Sequence, residues 1–513
     1  MDAFLSKLLK YYSLSKEEFD SISSNPSFLN IKRIDEYTSC KESKKRIQIA
    51  IEKKEKILIY GDYDCDGIMS TSIIYHCLIA LRANVSFFIP SRYKDGYGLN
   101  LENAKKIIKK GYGLVILVDN GVSCYEPISA LSKEGIDTLI IDHHELPSSL
   151  PPFYALIHDK ALNYGPYGVS AGYLSFLFSI NLLDKIDPYL LVLGALSTIS
   201  DSMDLKGYNK EIVRLALSLI NKNKYPQIFK LTQKTYIDEK VLGMEVIPCI
   251  NAVGRMDEGY QSFKLVHYFA LDNQALENVA KLALSTNLNR KNLTKTAANS
   301  FSIDPNSKCI CFLSPLKEGL SGLLASRFIS TYSLPTAVFA SSYLDKNIYV
   351  GSLRSKDGFD IISFFNSLED LPIKKGGHAH AGGLSIKKED YETFKLKFEE
   401  YSLSHPLKEE KEDKIEITLS DINQSNYKTL KKFSPFGQGN KEPTFIIKDI
   451  DTSILAFNKA GYLYTKLEDN SDIFSFQIKQ SEIKENKITL VGKLTLHEYN
   501  GKINVRFDCD KEK

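Results

Sequence analysis

Acidic residues crowd the ends of short apolar runs near the start of this chain, and that placement narrows what it can fold into. Ile57-Leu58-Ile59-Tyr60 runs into Gly61-Asp62-Tyr63-Asp64-Cys65-Asp66-Gly67. Leu114 to Val118 runs into Asp119-Asn120-Gly121, and Thr138 to Ile141 into Asp142-His143-His144. A further apolar run spans Val85 to Ile89, and helical spacing appears over Thr71 to Leu81 and Asn100 to Lys109. Short β-branched runs alternating with amphipathic stretches predict βαβ units around a buried parallel sheet. In an open sheet of that kind ligands bind beyond the carboxyl ends of the strands. Three strand ends therefore deliver acids and imidazoles to one crevice.

Such a cluster calls for a cation. Carboxylates held a few ångströms apart repel one another and raise their pKa values unless positive charge compensates. Hard oxygen ligands with one or two imidazoles suit Mg²⁺ or Mn²⁺, with Mn²⁺ better matched to the nitrogen donor. The eight cysteines are scattered without a C-x-x-C pair, so zinc fits less well and the thiols read as reduced and buried. Two ions about 3.5–4 Å apart would suit in-line hydrolysis of a phosphodiester. A lone Asp after a strand is usually a turn or cap residue. Asp142 reads either that way or as an orienter of the histidines beside it.

A chain of 513 residues exceeds one hydrophobic core, so several domains are expected. The net charge of +3 neither demands nor excludes a nucleic-acid partner. No long apolar run predicts a membrane span, and the start Met1-Asp2-Ala3-Phe4 does not read as a secretory leader; a cytoplasmic location is expected. A helix-rich stretch covers about 170–300, and a second α/β-like region 306–398. A charged linker, His405 to Lys414, precedes a stretch of strands only: Tyr462 to Leu467, Asp472 to Ile478 and Lys487 to Leu496. Asn500-Gly501, before the alternating Ile503-Val505-Phe507, signals a hairpin, and the whole predicts a small barrel. Tyr462, Tyr464, Phe474 and Phe476 alternate along these strands and are expected mostly in its core.

Gly61–Gly67 and Asp142-His143-His144 resemble the first and third motifs of the DHH phosphoesterase superfamily. Asp119 fits the second motif, and Asp201, followed by Ser202-Met203-Asp204-Leu205, fits the fourth. The resemblance implies that Asp64 and Asp119 hold one metal ion, with Asp62 on that side. It implies that Asp66, Asp119, His143 and Asp201 hold a second ion, with Asp119 bridging, and that His144 sits beside the reacting phosphate. Pro248–Met256, Glu318–Arg327, Gly351–Ser355, Gly376–Gly383 and Phe433–Asn440 narrow the resemblance to the superfamily's branch of single-strand-specific 5′→3′ DNA exonucleases.

The architecture this implies is α/β, in several parts. A helical segment (1–45) precedes a parallel-sheet DHH domain (46–215) and a long helical connection (216–305). A smaller α/β DHH-associated domain (306–400) and a C-terminal oligonucleotide-binding (OB)-like β-barrel (415–513) follow. The implied activity is hydrolysis of single-stranded DNA to 5′-mononucleotides with two Mn²⁺ or Mg²⁺ ions, in repair and recombination. The implied partners are single-stranded DNA, a single-strand-binding protein and a helicase. Asp64, Asp66, Asp119, His143, His144 and Asp201 would be catalytic.

Arg92, Asn251, Arg255, Ser352, Arg354, Gly376, Gly377 and His378 would bind substrate. Ser352 and Arg354 suit a terminal 5′-phosphate, and Gly376-Gly377 suits close backbone approach to a phosphate. Two departures from the branch leave the ligand positions intact. Lys317 stands where His is usual, and His158-Asp159-Lys160 where Asn-Pro-Lys is usual. An enzyme for short oligoribonucleotides or cyclic dinucleotides needs no strand-binding barrel, and a non-catalytic strand-binding scaffold does not need the full ligand set that this chain keeps.

Overall fold

The computed structural model describes residues 2–257, 259–270, 276–369, 371–408, 413–467, 470–499 and 502–512. The chain divides into two units, Asn30–Glu410 and a second made of Met1–Leu29 with Lys411–Lys513. Among the described residues no helix is long and apolar enough to cross a membrane.

In the larger unit β1 (Ile57–Tyr60), β2 (Val85–Phe88), β3 (Leu114–Val118), β4 (Asp137–Ile141) and β5 (Ala155–Ile157) form a parallel sheet in the order β2-β1-β3-β4-β5. β1 and β3 are buried along their whole length, which is why their sequences show no polar alternation. The chain goes from β1 to one neighbour, β2, and returns on the other side as β3. That reversal opens a crevice at the carboxyl ends of β1 and β3. β5 was not anticipated; three residues are too few to carry a strand pattern.

The helix predicted from Thr71 spans Cys65–Ala80 and so starts inside the acidic segment. Asp64 is its N-cap and accepts the Gly67 N–H at 3.2 Å. Gly67 is required there, because an added Cβ would lie 2.6 Å from the Asp62 carbonyl oxygen. Helices Ala171–Leu183 and Pro188–Ser200 are buried on nearly every face and pack on Cys65–Ala80. Ile247–Met256 and Leu276–Asn299 follow and lead to a second sheet. Its strands are β6 (Ile310–Leu313), β7 (Thr336–Ser341), β8 (Ile348–Arg354), β9 (Lys374–His378) and β10 (Ala381–Lys387), in the order β6-β7-β8-β10-β9. Phe339, Phe364, Phe394 and Phe398 fill the core on one face of it.

The smaller unit has β11 (Lys414–Glu416), β12 (Thr444–Asp451), β13 (Tyr462–Lys466), β14 (Ser471–Lys479), β15 (Lys487–Tyr499) and β16 (Lys502–Lys511), in the order β11-β12-β15-β16-β14-β13. Parallel pairing of β14 with β16, among otherwise antiparallel partners in the β12–β16 run, matches an OB barrel open between β12 and β13. Asn500-Gly501 and linker residues 409–412 lie outside the described residues; β15 and β16 pair up to Tyr499 opposite Lys502.

The first 45 residues do not form one segment. Helices Ala3–Tyr12 and Lys16–Ser23 belong to the barrel unit, where Phe4, Leu8, Leu9 and Phe19 share a core with Phe433, Phe445, Leu463 and Phe507. Helical spacing shows that a face is apolar, not which surface covers it. The aromatic residues expected in the barrel core are also placed differently. Leu463, Ile473, Val505 and Phe507 occupy the interior, whereas Tyr462, Tyr464 and Phe474 are half-buried and Phe476 is 77% exposed.

Phe4 stacks on Phe445 with ring centroids 5.8 Å apart and is fully enclosed. Phe4→Ala is expected to cost about 3–5 kcal/mol of barrel stability. Denaturant melts of wild type and variant measure it, and a change below about 1 kcal/mol would contradict this packing.

Candidate metal centre

The strand ends of the parallel sheet, with Asp201 at the C-terminus of helix Pro188–Ser200, bring the predicted acids and imidazoles together. Asp62, Asp64 and Asp119 form one group and Asp66, His143 and Asp201 another, the ligand atoms of each lying within 4.8 Å of one another. Asp119, His143 and His144 form a third group that joins the first two. His143 Nε2 lies 3.6 Å from Asp66 Oδ2, 3.4 Å from Asp119 Oδ1 and 3.5 Å from Asp201 Oδ2. That buried nitrogen has no hydrogen-bond partner, and neither has Asp62 Oδ1. Orphaned buried polar atoms are costly, and a nitrogen lone pair ringed by carboxylate oxygens fits a divalent cation.

Electrostatics point the same way. Burial, and then the Asp64 charge, pushes the Asp62 carboxyl well above its ordinary range. Burial, followed by Asp66, Asp64, Asp62 and Asp201, does the same to Asp119. Asp201 is pushed up to about 8 by burial and then by Asp66 and Asp64. Burial holds His143 below its ordinary value against the pull of Asp66, which favours the neutral ring a metal needs. These acids ionise together only where a cation sits among them.

Each ligand is held by its surroundings. Asp66 Oδ1 accepts from the Gly172 N–H at 2.7 Å and from Ser197 Oγ at 2.5 Å, and Oδ2 accepts from the Ala171 N–H at 3.0 Å. The Ala171 and Gly172 donors sit at the N-terminus of Ala171–Leu183, where backbone N–H groups favour a carboxylate, and Ser197 reaches in from Pro188–Ser200. Asp119 has φ +60°, a left-handed conformation that a non-glycine residue adopts at a cost. Asp142 is an orienter. Its Oδ1 accepts from the His143 N–H (2.8 Å), the His144 N–H (3.2 Å) and His144 Nδ1 (2.8 Å), and its Oδ2 from the Val122 N–H. Burial would raise Asp142, but the hydrogen bond and charge of His144, the Val122 N–H and the His143 charge together outweigh it and hold the carboxyl down at about 2. Burial opposes and Asp142 drives the rise of His144 to about 9. The Tyr97 hydroxyl lies 2.9 Å from the Asp119 carbonyl, to which it donates, and 3.0 Å from His144 Nδ1.

The expected substrate-binding residues fall into two sets. A cavity of about 410 Å³ is lined by Arg92, Ser352 and Gly376, together with Tyr63, Lys374 and Lys375. The Arg92 guanidinium lies 4.3 Å from the Tyr63 ring centroid, and its Nε has no hydrogen-bond partner. Asn251, Arg255, Arg354, Gly377 and His378 do not line this cavity. Asn251 Oδ1 instead accepts the Cys65 N–H at 2.8 Å and so fixes the acidic segment. Gly254 approaches Tyr63 so closely that a Cβ would lie 2.5 Å from its carbonyl oxygen. Half-buried Arg255 donates to the Gly319 carbonyl at 3.4 Å. Arg354 Nε donates to Ser326 Oγ at 3.1 Å. Gly377, at φ +144°, serves the β9–β10 pairing, where a Cβ would meet the Ala381 carbonyl at 2.4 Å. His378 is exposed on β9.

Sequence reasoning missed Lys374 and Lys375, although the pair directly precedes Gly376-Gly377. It also missed Tyr97 and the Ser197 support. Tyr97 stood out only through its flanking glycines, and Ser197 gave no signal in an apolar helix.

Comparison with known proteins defines the class. Residues 56–181 match the DHH family, N-terminal domain; residues 307–402 match the DHHA1 domain; residues 414–511 match the RecJ OB domain. The single-stranded-DNA-specific exonuclease RecJ of Bacillus subtilis is 28% identical over 522 aligned residues, covering 95% of this chain and 66% of the relative. That of Haemophilus influenzae is 27% identical, covering 90% of this chain and 88% of the relative. The crystal structure of RecJ in complex with Mn²⁺ from Thermus thermophilus superposes with a TM-score of 0.84 at 21% identity, covering 99% of this chain and 76% of that one. Fold and domain order are therefore those of a DHH-domain protein with a DHHA1 domain and an OB barrel. Over nearly its whole length the chain is similar to the RecJ family. It spans 66% and 61% of the lengths of the Bacillus subtilis and Thermus thermophilus relatives.

Metal-free protein has a testable pH signature. The unfolded Asp pKa is about 3.9, so a carboxyl raised to about 8 in the fold contributes stability that is present below pH 4. That contribution is lost as pH rises through 8. In chelator the melting temperature is expected to fall between pH 6 and 9, and Mn²⁺ to raise it most at the upper end. Equal Mn²⁺ effects across the range would contradict the repulsive cluster.

Proposed function

We propose that this chain is a metal-dependent exonuclease that hydrolyses single-stranded DNA from its 5′ end to 5′-mononucleotides. The observation that carries the reading is the unpartnered His143 Nε2 among the Asp66, Asp119 and Asp201 carboxylates at the end of a parallel sheet. Asp62, Asp64 and Asp119 would hold one ion, and Asp66, Asp119, His143 and Asp201 the other. When bound, Mn²⁺ or Mg²⁺ would supply Lewis acidity and lower the pKa of an attacking water.

The chain's own residues do the rest. His144, protonated below about pH 9 and held by Asp142, offers a proton and a positive charge beside the scissile phosphate. Arg92, Lys374 and Lys375 make the 410 Å³ cavity suited to an anionic strand end, with Ser352 as a hydroxyl donor. In the barrel, Tyr462, Tyr464, Phe474 and Phe476 crowd one outer face of β13 and β14, with Phe474 and Phe476 centroids 4.4 Å apart. Lys479 lies over Tyr462 and Arg506 over Phe474. Aromatic rings interleaved with cations suit base stacking on a single strand. The relatives named single-stranded-DNA-specific exonucleases favour this substrate over dinucleotides. A single-strand-binding protein and a helicase are the protein partners this reading calls for, in a cytoplasmic repair and recombination role.

Digestion of a long single strand labelled separately at each end tests the reading. Mn²⁺- or Mg²⁺-dependent release of mononucleotides from the 5′ end, with duplex resistant, is expected. Asp64→Ala and Asp119→Ala are each expected to lower the rate about a thousandfold or more, since losing an ion removes several kcal/mol of transition-state stabilisation. Full activity in either variant would refute the assignment. Phe476→Ala is expected to weaken single-strand binding by about 1–3 kcal/mol, read by fluorescence anisotropy with a labelled oligonucleotide.

A further inference from the structure

His158 is fully buried directly after β5, and its place follows from the sheet. β5 pairs in parallel with β4, with Ile157 opposite Ile141, and the Asp142 N–H donates to the Ile157 carbonyl at 3.2 Å. The residues that follow the two strands, Asp142-His143-His144 and His158-Asp159-Lys160, therefore lie side by side. His158 Nε2 is 2.8 Å from the His144 carbonyl oxygen. Its Nδ1 is 3.0 Å from Asp159 Oδ1 and 3.1 Å from the Lys160 nitrogen. Lys160 in turn donates to Glu145 at 2.5 Å.

Only a donor can face a carbonyl at that distance, so Nε2 carries a proton whichever group Nδ1 serves. The two-histidine turn is thus clamped from both sides. Asp142 takes its N–H groups and His158 gives to its carbonyl. We infer that His158 is a positioning residue, whose Nε2–H holds the His143-His144 turn in the geometry that aims both imidazoles at the metal centre. It touches neither substrate nor reacting atoms and acts through the backbone of its neighbour. Groups at this remove from a metal are those whose loss weakens metal binding without removing a ligand.

The inference rests on the metal-site reading above, and two readouts separate their failures. The variants are His158→Leu, of similar volume without a donor, and His158→Gln, whose Nε2–H₂ reaches as far as the imidazole Nε2–H. In chelator, hydrogen exchange of the peptide spanning residues 142–146 is expected to accelerate about tenfold or more in His158→Leu, the scale of losing one buried hydrogen bond. Exchange in β6 to β10 is expected to stay unchanged, and His158→Gln to restore the wild-type rate. Mn²⁺ titration followed by electron paramagnetic resonance is expected to show about 10–100-fold weaker binding in His158→Leu, with recovery in His158→Gln. Unchanged exchange of residues 142–146 in His158→Leu, or acceleration spread over the whole unit, overturns the inference whatever the metal does. Wild-type protein that binds no Mn²⁺ overturns the metal-site reading instead, and the exchange comparison still decides the role of His158.

Discussion

Mutual repulsion among buried carboxylates is the constraint on which the rest of the larger unit turns. Asp62, Asp66 and Asp119 are almost fully excluded from solvent, and Asp64 and Asp201 face the same crevice. Burying one ionised carboxylate without compensation is already costly, and burying several close together is worse. A chain gains nothing from that arrangement as scaffold. It persists because β1, β3 and β4 are apolar enough to fix the backbone whatever their ends carry. Stability made in the sheet and flanking helices is in this way spent at the strand ends, where strain and repulsion are commonly concentrated in functional sites.

Holding such a site open to a cation takes precise support. Asp66 is locked by donors from the start of Ala171–Leu183 and by Ser197 of the next helix. Asp119 is fixed in a left-handed backbone conformation, and Asn251 caps the acidic segment from the helix Ile247–Met256. Asp142 and His158 grip the histidine turn from opposite sides. None of these supports needs to leave its place for a metal to bind, so little ordering remains to be done at that moment. Pre-organisation of this kind lets a site keep its geometry when charge develops during a reaction.

The ligands were legible in the sequence and most of their supports were not, for a physical reason. A ligand at the end of a parallel strand is announced by two local patterns, a buried apolar run and an acid or imidazole directly after it. Asp64, Asp119 and His143 meet that description, so position and chemistry follow without tertiary information. Ser197 acts on a residue far away in sequence and looks like an ordinary polar residue in a helix, and Asn251, expected to bind substrate, holds the acidic segment instead. Gly377 shows the converse: a Gly-Gly pair suggested phosphate approach, whereas the steric limit at Gly377 is set by the neighbouring strand.

The same reasoning explains the misplaced aromatic residues of the barrel unit. Along β13 and β14 the alternation of side chains was visible, but both faces carry apolar residues. Period alone then fixes which residues share a face and leaves open which face is inside. Leu463 and Ile473 lie inward and the larger rings outward, the opposite of a ranking by size. A core would gain more from Phe476 than from Thr465, yet Thr465 is the buried one and its hydroxyl is bonded to the Ala456 backbone. Keeping four aromatic rings on an accessible face, braced by Lys479 and Arg506, gives up burial that the fold had available. Four rings gathered on one face, Phe476 exposed and the other three half-buried, form a patch rather than scattered apolar residues, and such patches mark binding surfaces.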